Sequence, residues 1–327
     1  MAIVGGGPAG MAAAIQLSRF DLQPVIFEKK RLGGLLWNAQ WVENYPGFFP
    51  GISGPQLVDA FKAHLKYYKV QVVKKKVHTI GYEINRERFI LDAAHDCYEA
   101  DILVIATGTK PRKDAFLTII PRELRGLVKY EVVRLLPEKG KCMVVIGGGD
   151  IAFDYALNLS IHNEVTILHR HEEIKALPLL QRRVQESQRI TLIGSTVPIK
   201  VEKGKNRGLK MTYIKKTGDQ TKQAILDCDY MVLAIGREQE LPCWDNYCLE
   251  KKEALMAQGR LFFAGDVVNG GLRQVAIATG NGIEIAMKIN DHLAKTNTIS
   301  VSGEQKGDGV PHAFGEINYC SPLGGQL

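Results

Sequence analysis

The chain has 327 residues and is 45% hydrophobic, enough for about two domains at the usual ~100–200 residues each and too apolar for a disordered polymer. Its 42 Lys and Arg outnumber 35 Asp and Glu, and the net charge of +7 favours anionic ligands or acidic partners. Six cysteines with no paired Cys-x-x-Cys clusters exclude a disulfide scaffold and a zinc ribbon, so most thiols read as reduced.

The first stretch, "MAIVGGGPAGMAAAIQLSRFDLQPVIFEKK", opens a strand at its second residue. That leaves no room for a signal-peptide core, so the expected location is cytoplasmic. Apolar runs such as "DILVIATG" are strand-sized, and no membrane span is expected. Gly5, Gly7 and Gly10 stand at G-x-G-x-x-G spacing between this strand and an alanine-rich helix that begins Pro8-Ala9; a second strand then ends at Glu28. Gly5 permits the tight turn, Gly7 lets a pyrophosphate reach the backbone, and Gly10 lets helix and strand pack closely. The helix N-terminus offers free N–H groups to the phosphates, and the acid suits ribose hydroxyls. This predicts dinucleotide binding, read as FAD beside the oppositely charged second site.

Further along, "KKKVHTIGYEINRERFILDAAHD" alternates polar and apolar residues as a hairpin does. No aromatic platform interleaves with its lysines, so no nucleic-acid partner is expected. "DILVIATGT" then reads as a buried strand returning to the parallel sheet, ending in Thr107 and Gly108.

The plan repeats at "CMVVIGGGDIAFDYALNLSIHNEVTILHRHEEIKA", where Gly147, Gly149 and Ala152 take the glycine positions and Asp150 and Ile151 open the helix. Glu28 lies 23 residues after Gly5, and Arg170 lies 23 after Gly147. The register is the same and the charge opposite. A cation there suits a 2′-phosphate, which makes the second site one for NADPH, with NADH as the alternative, and His169, Arg170, His171 and Lys175 as the phosphate-facing group. A solvated basic turn has the same composition. An ordinary histidine is mostly neutral at pH 7, which makes the preference modest. "DYMVLAIGR" echoes the earlier strand and ends in Ile235 and Gly236, and "RLFFAGDVV" supplies a third strand and turn. The fold class is therefore α/β, with two Rossmann-like three-layer ββα dinucleotide-binding domains.

The GGGPAG turn, "GGLLWNAQWVENYPGF", "ATG", "GGGDIAFDYAL", "HRHEEIKA", "AGDV" and "RQVAIATGNGIEIAM" together resemble the thioredoxin reductase family over 1–295. That resemblance implies an FAD domain built from residues 1–112 and 239–295, an NAD(P)H domain inserted at 113–238, a tail at 296–327, and a homodimer. It places Asp266, after Gly265, on the flavin's ribityl chain, Arg273, Gln274 and Val275 along the isoalloxazine, and Gly34 and Asn44 in the same site. Asp266 by itself would equally serve as a helix cap.

In that family a redox Cys-x-x-Cys followed by an acid precedes the second glycine turn. Counting back from Gly147, those positions hold Tyr130, Val133 and Arg134. No disulfide can form there. Hydride from nicotinamide would reach flavin N5, and the electrons would pass to an external acceptor: ferredoxin or another acidic redox protein, a quinone, dioxygen or a partner's disulfide. No catalytic side chain and no metal site is expected, since the remaining histidines, His95 among them, lack ligand spacing. Ferredoxin–NADP reductases of this fold also lack the dithiol and carry a C-terminal extension over the flavin, a place that His312, Phe314 and Tyr319 would fill here. Two alternatives are a disulfide reductase using Cys243 with Cys248, or Cys320, and a flavin-binding redox sensor without turnover. Cys243 and Cys248 read more simply as loop residues, Cys142 as a small core residue and Cys320 as a free terminal thiol.

Overall fold

A computed structural model describes residues 1–94, 96–112, 114–218, 220–301 and 319–320. His95, His312 and Phe314 lie outside the described residues, and the side-chain roles of Tyr319 and Cys320 lie outside the described side chains. The chain forms two compact units, one of residues 1–37, 43–109 and 239–327, the other of 38–42 and 110–238.

In the first unit the strands Ala2–Val4, Val25–Phe27 and Leu103–Ile105 are short, wholly apolar and buried on both faces. Continuous burial of this kind is the mark of a parallel sheet covered on both sides. The sheet runs Leu261–Phe263, Leu103–Ile105, Ala2–Val4, Val25–Phe27, Gln71–Val73, with every neighbour parallel. The helix Pro8–Ser18 buries Ala9, Gly10 and Met11 through Ala14, residues small enough for a second helix to close on it. That second helix is Val275–Val301, and a Cβ added at its Gly282 would lie 2.2 Å from Ala9 O. A capping box starts the helix Gly54–Tyr67, Ser53 and Gln56 each accepting from the other's backbone N–H at 3.3 Å. A second sheet contains the expected hairpin, Thr79–Glu83 antiparallel to Arg88–Ala93.

The second unit repeats the plan. Its parallel sheet runs Ile190–Ile193, Glu164–Leu168, Cys142–Ile146, Tyr230–Leu233, Val128–Lys129. The helix Asp150–Leu159 follows the central strand, and an antiparallel meander, Thr196–Lys203, Leu209–Thr217 and Gln220–Cys228, forms a separate layer. The charge is unevenly divided. This unit holds 23 Lys and Arg against 15 Asp and Glu, a net +8, which leaves −1 for the other.

Candidate functional site: two dinucleotide cradles

In the first unit the glycines sit where side chains cannot. Gly5 has φ +113, and a Cβ there would lie 2.2 Å from Ala106 O; one at Gly10 would lie 2.0 Å from Gly5 O. Gly7, by contrast, has nothing within 4 Å of its would-be Cβ. Two glycines are thus consumed by packing, and the one at the helix N-terminus faces open space, as a pyrophosphate seat requires. Pro8 occupies the first helical turn, where its missing N–H costs nothing.

Glu28 is 9% exposed and braces this turn. Its Oε2 accepts the Gly6 N–H at 2.9 Å, and its Oε1 accepts the Lys30 N–H at 2.8 Å. The Gly33 N–H reaches Gly6 O at 2.7 Å, which brings Gly34 against the turn, its would-be Cβ 3.3 Å from the Gly7 Cα. The strand Leu103–Ile105 delivers Thr107, whose buried Oγ1 has no protein partner, and Gly108, whose carbonyl accepts the Glu240 N–H. Gly265, at φ +78, packs on Ala9, and Asp266 lies in the short 3-10 turn that follows. Asn44 Nδ2 donates to Gln274 Oε1 at 2.9 Å, just before the helix that starts at Val275. The Arg273 N–H is taken by Gly271 O. An open glycine, an unsatisfied hydroxyl and a buried acid on the turn fit the adenosine diphosphate half of FAD.

The second cradle shares this geometry. Gly147, at φ +151, would put a Cβ 2.4 Å from Ala234 O and 3.1 Å from the buried Ala152, whereas Gly149 faces open space. Asp150 opens the helix and accepts the Leu177 N–H at 2.8 Å; Ile151 is exposed beside it. Ile235 and Gly236 follow the strand Tyr230–Leu233, and Gly236 O accepts the Arg112 N–H. Ile151, Gly236 and Tyr130 line one small groove.

The basic group divides. Arg170, His171 and Lys175 are exposed at the end of the strand Glu164–Leu168, and the Lys175 N–H is tied to Gly148 O at 3.1 Å. Arg170 Nε donates to His171 Nε2 at 2.8 Å. His169 does not join them. It is 5% exposed, packed where a side chain at Gly194 would collide with its ring and one at Gly148 would crowd its Cβ, and burial holds its pKa below the ordinary value. It supports the turn as a neutral residue and brings no charge to a phosphate.

The segment before the second turn is built as structure. Asn38 is 3% exposed, and its Oδ1 accepts the N–H groups of both Val132 and Val133 at 3.1 Å. Asn158 Nδ2 donates to Asn38 O, and the backbone N–H of Gln40 reaches the Asp154 carboxyl. Glu131 pairs with the buried Arg237 at 3.6 Å, and Val132 is fully buried. Asn38 was not legible as a site residue, because nothing in "LLWNAQWV" marks a contact with residues 94 and 95 positions away.

Cys142, Cys228, Cys243 and Cys248 are free. Burial pushes the Cys228 and Cys248 thiols up to about 12, far from a thiolate at neutral pH. Cys243 and Cys248 belong to a strand and a helix rather than to a loop, and Cys142 is half-buried rather than a core residue. Cys97 departs from the reduced pattern. It is disulfide-bonded, and Cys320 stands opposite it in the strand pair. Among the described residues no group of three His, Cys, Asp or Glu side chains could hold a metal ion, and no helix is long and apolar enough to cross a membrane.

A sequence profile of the pyridine nucleotide-disulphide oxidoreductases matches residues 1–282. The chain belongs to that family. Thioredoxin reductases of Rickettsia conorii and Coxiella burnetii are similar to this oxidoreductase, at 29% identity over 305 residues and 28% over 313; each comparison covers 90% of this chain and 97% or 96% of the relative. The crystal structure of Lactococcus lactis thioredoxin reductase superposes with a TM-score of 0.77 at 25% identity, covering 90% of this chain and 98% of that one. This oxidoreductase is thus an FAD-dependent NAD(P)H enzyme with the two-Rossmann-domain fold of the thioredoxin reductases, a family that uses FAD and NADPH.

Proposed function

We propose that this oxidoreductase oxidises NADPH through FAD and gives the electrons to an external acceptor without a dithiol relay before its second glycine turn. The observation that carries this reading is the turn at residues 130–134. Where a dithiol and its acid would stand it has Tyr130, Val133 and Arg134, and the N–H groups of Val132 and Val133 are taken by Asn38. A phenol, an isopropyl group and a guanidinium supply neither a thiolate nor a proton for one.

When bound, FAD takes a hydride from the reduced nicotinamide and releases the electrons to an acceptor. The protein's own work is binding and alignment. In this reading Gly5, Gly7 and Gly10 with Pro8 and Ala9 seat the FAD pyrophosphate, Glu28 takes its ribose, Gly34, Thr107 and Gly108 wall the cradle, and Gly265, Asp266, Asn44, Arg273, Gln274 and Val275 serve the flavin end. Gly147, Gly149, Asp150, Ile151, Ala152, Ile235 and Gly236 seat the second nucleotide, and Arg170, His171 and Lys175 meet its 2′-phosphate. The family resemblance also supports a homodimer in the cytosol, which light scattering of the purified protein and fractionation would check.

The relatives' name gives thioredoxin as their acceptor. For this chain the net +8 of the second unit supports an acidic electron carrier such as a ferredoxin. Steady-state NADPH oxidation with an acidic ferredoxin, a quinone and thioredoxin tests the reading. Turnover with ferredoxin or quinone should survive replacement of Cys243, Cys248 and Cys320 by serine, and the ferredoxin rate should fall with salt. Thioredoxin reduction that those serines abolish would sink it and favour a disulfide reductase built on other cysteines.

A further inference from the structure

Of the six cysteines in the chain, Cys142, Cys228, Cys243 and Cys248 are free. Cys97 is disulfide-bonded, which leaves Cys320 as its partner within the chain. The backbone agrees with that pairing. Cys320 stands directly opposite Cys97 where Tyr319–Cys320 runs antiparallel to Asp96–Ala100. Opposed residues of an antiparallel pair have Cα atoms ~4.5–5.5 Å apart, inside the ~4.4–6.8 Å that a disulfide spans.

What the bridge holds is a short strand at the edge of a sheet. Asp96–Ala100 pairs with Arg88–Ala93 on one side and with Tyr319–Cys320 on the other, and no strand lies beyond Tyr319–Cys320 among the described residues. Two residues of ladder offer few hydrogen bonds against the entropy of ordering a chain end. A covalent tie within the ladder reverses that balance, because it keeps the two strands at a high effective concentration. Without the tie the Asp96–Ala100 edge loses its neighbour and turns its backbone groups to water.

The bridge is placed where a small thiol can reach it, since Cys97 is only half-buried. A chain that keeps four cysteines free is not an oxidised scaffold, and a reachable bridge at a sheet edge is of the labile kind rather than the structural kind. None of the residues assigned above to FAD or to the second nucleotide belongs to this sheet, so the bridge stands outside the proposed electron path.

We propose that Cys97 and Cys320 form a thiol-sensitive modification site, which fastens the C-terminal strand to the Asp96–Ala100 edge when oxidised and releases it when reduced. The reductant is a thiol. One thiolate attacks a sulfur of the bridge, and a second thiol resolves the mixed disulfide. Cys97 and Cys320 leave as two thiols, having gained two electrons and two protons, while the reductant becomes a disulfide. A small-molecule disulfide runs the same exchange backwards.

The test equilibrates the full-length, FAD-loaded protein in glutathione buffers of graded reduced-to-oxidised ratio, alkylates the free thiols and maps the peptides by mass spectrometry. A peptide linking residues 97 and 320 should dominate at the oxidising end and give way to two alkylated thiols, in step, at the reducing end. Hydrogen exchange of the 96–100 peptide should be at least ~tenfold faster in the reduced wild type and in Cys320→Ser than in the oxidised wild type, with Cys243→Ser matching the wild type. The two wild-type states alone decide the matter if a substitution fails to fold. A bridge absent at every ratio, formed between two chains, or still intact in excess reduced glutathione would overturn the proposal. So would equal exchange of the 96–100 peptide in the oxidised and reduced wild type.

Discussion

Replacing Asn38 by alanine tests whether residues 130–134 are a structural turn. The side chain is 3% exposed, and its Oδ1 is the acceptor for two backbone N–H groups, that of the fully buried Val132 and that of Val133. Leaving a buried donor without a partner costs ~1–3 kcal/mol, so two of them, with some relief from entering water, amount to about 2–4 kcal/mol. Asn38→Leu restores the volume without the acceptor and should cost as much, which separates lost hydrogen bonding from lost packing. Because a chain of two units need not unfold in one step, the local readout is the more decisive. Hydrogen exchange followed by mass spectrometry should show the 130–136 peptide exchanging at least ~30-fold faster in both variants, the factor that corresponds to 2 kcal/mol. Exchange at the wild-type rate, with midpoints within ~0.5 kcal/mol, would refute the clasp.

Three further outcomes follow from the same structure. Gly5→Ala forces a Cβ to 2.2 Å from Ala106 O at a φ of +113, so the protein should purify without flavin, read as loss of the absorbance near 450 nm. Gly149→Ala, whose Cβ meets no protein atom within 4 Å, should cost no more than the ~1 kcal/mol of a lost glycine N-cap while weakening NADP+ binding at least tenfold by calorimetry. Asp154 gives a pH signature. Burial pushes its carboxyl from 3.8 up to about 7, against the Gln40 N–H and with help from Asp150. Because the folded state holds the proton more tightly, its contribution to stability is complete below pH ~4 and is lost as pH rises through about 7. Asp154→Asn should therefore be near neutral at pH 4 and stabilising by roughly 1–3 kcal/mol at pH 8. A variant equally stable relative to wild type at both pH values would contradict the burial argument.

The glycine turns, the returning strands and Glu28 were readable because each is specified within one strand–turn–helix unit of the chain. What stayed hidden depends on distant partners. His169 looked like part of a basic cluster, and only the fold shows that Gly148 and Gly194 give up their side-chain space to it. Asn38 carries no motif; its meaning lies in two amides of another part of the chain. The pairing of Cys97 opposite Cys320 likewise requires knowing that the tail adds a strand beside Asp96–Ala100. That residues 130, 133 and 134 carry no cysteine was visible in sequence, but not that Asn38 and Arg237 hold the segment in a fixed turn.

The central claim is that flavin is the enzyme's only electron store on the path from NADPH. Anaerobic titration of the FAD-loaded protein with a two-electron reductant, monitored at the flavin band, measures this directly. Complete bleaching by one equivalent per flavin, with NADPH alone also able to bleach it, is the predicted result. Uptake of two equivalents before the reductant accumulates, in a Cys97→Ser variant as well as in the wild type, would reveal a second, disulfide-based store on the path and contradict the account.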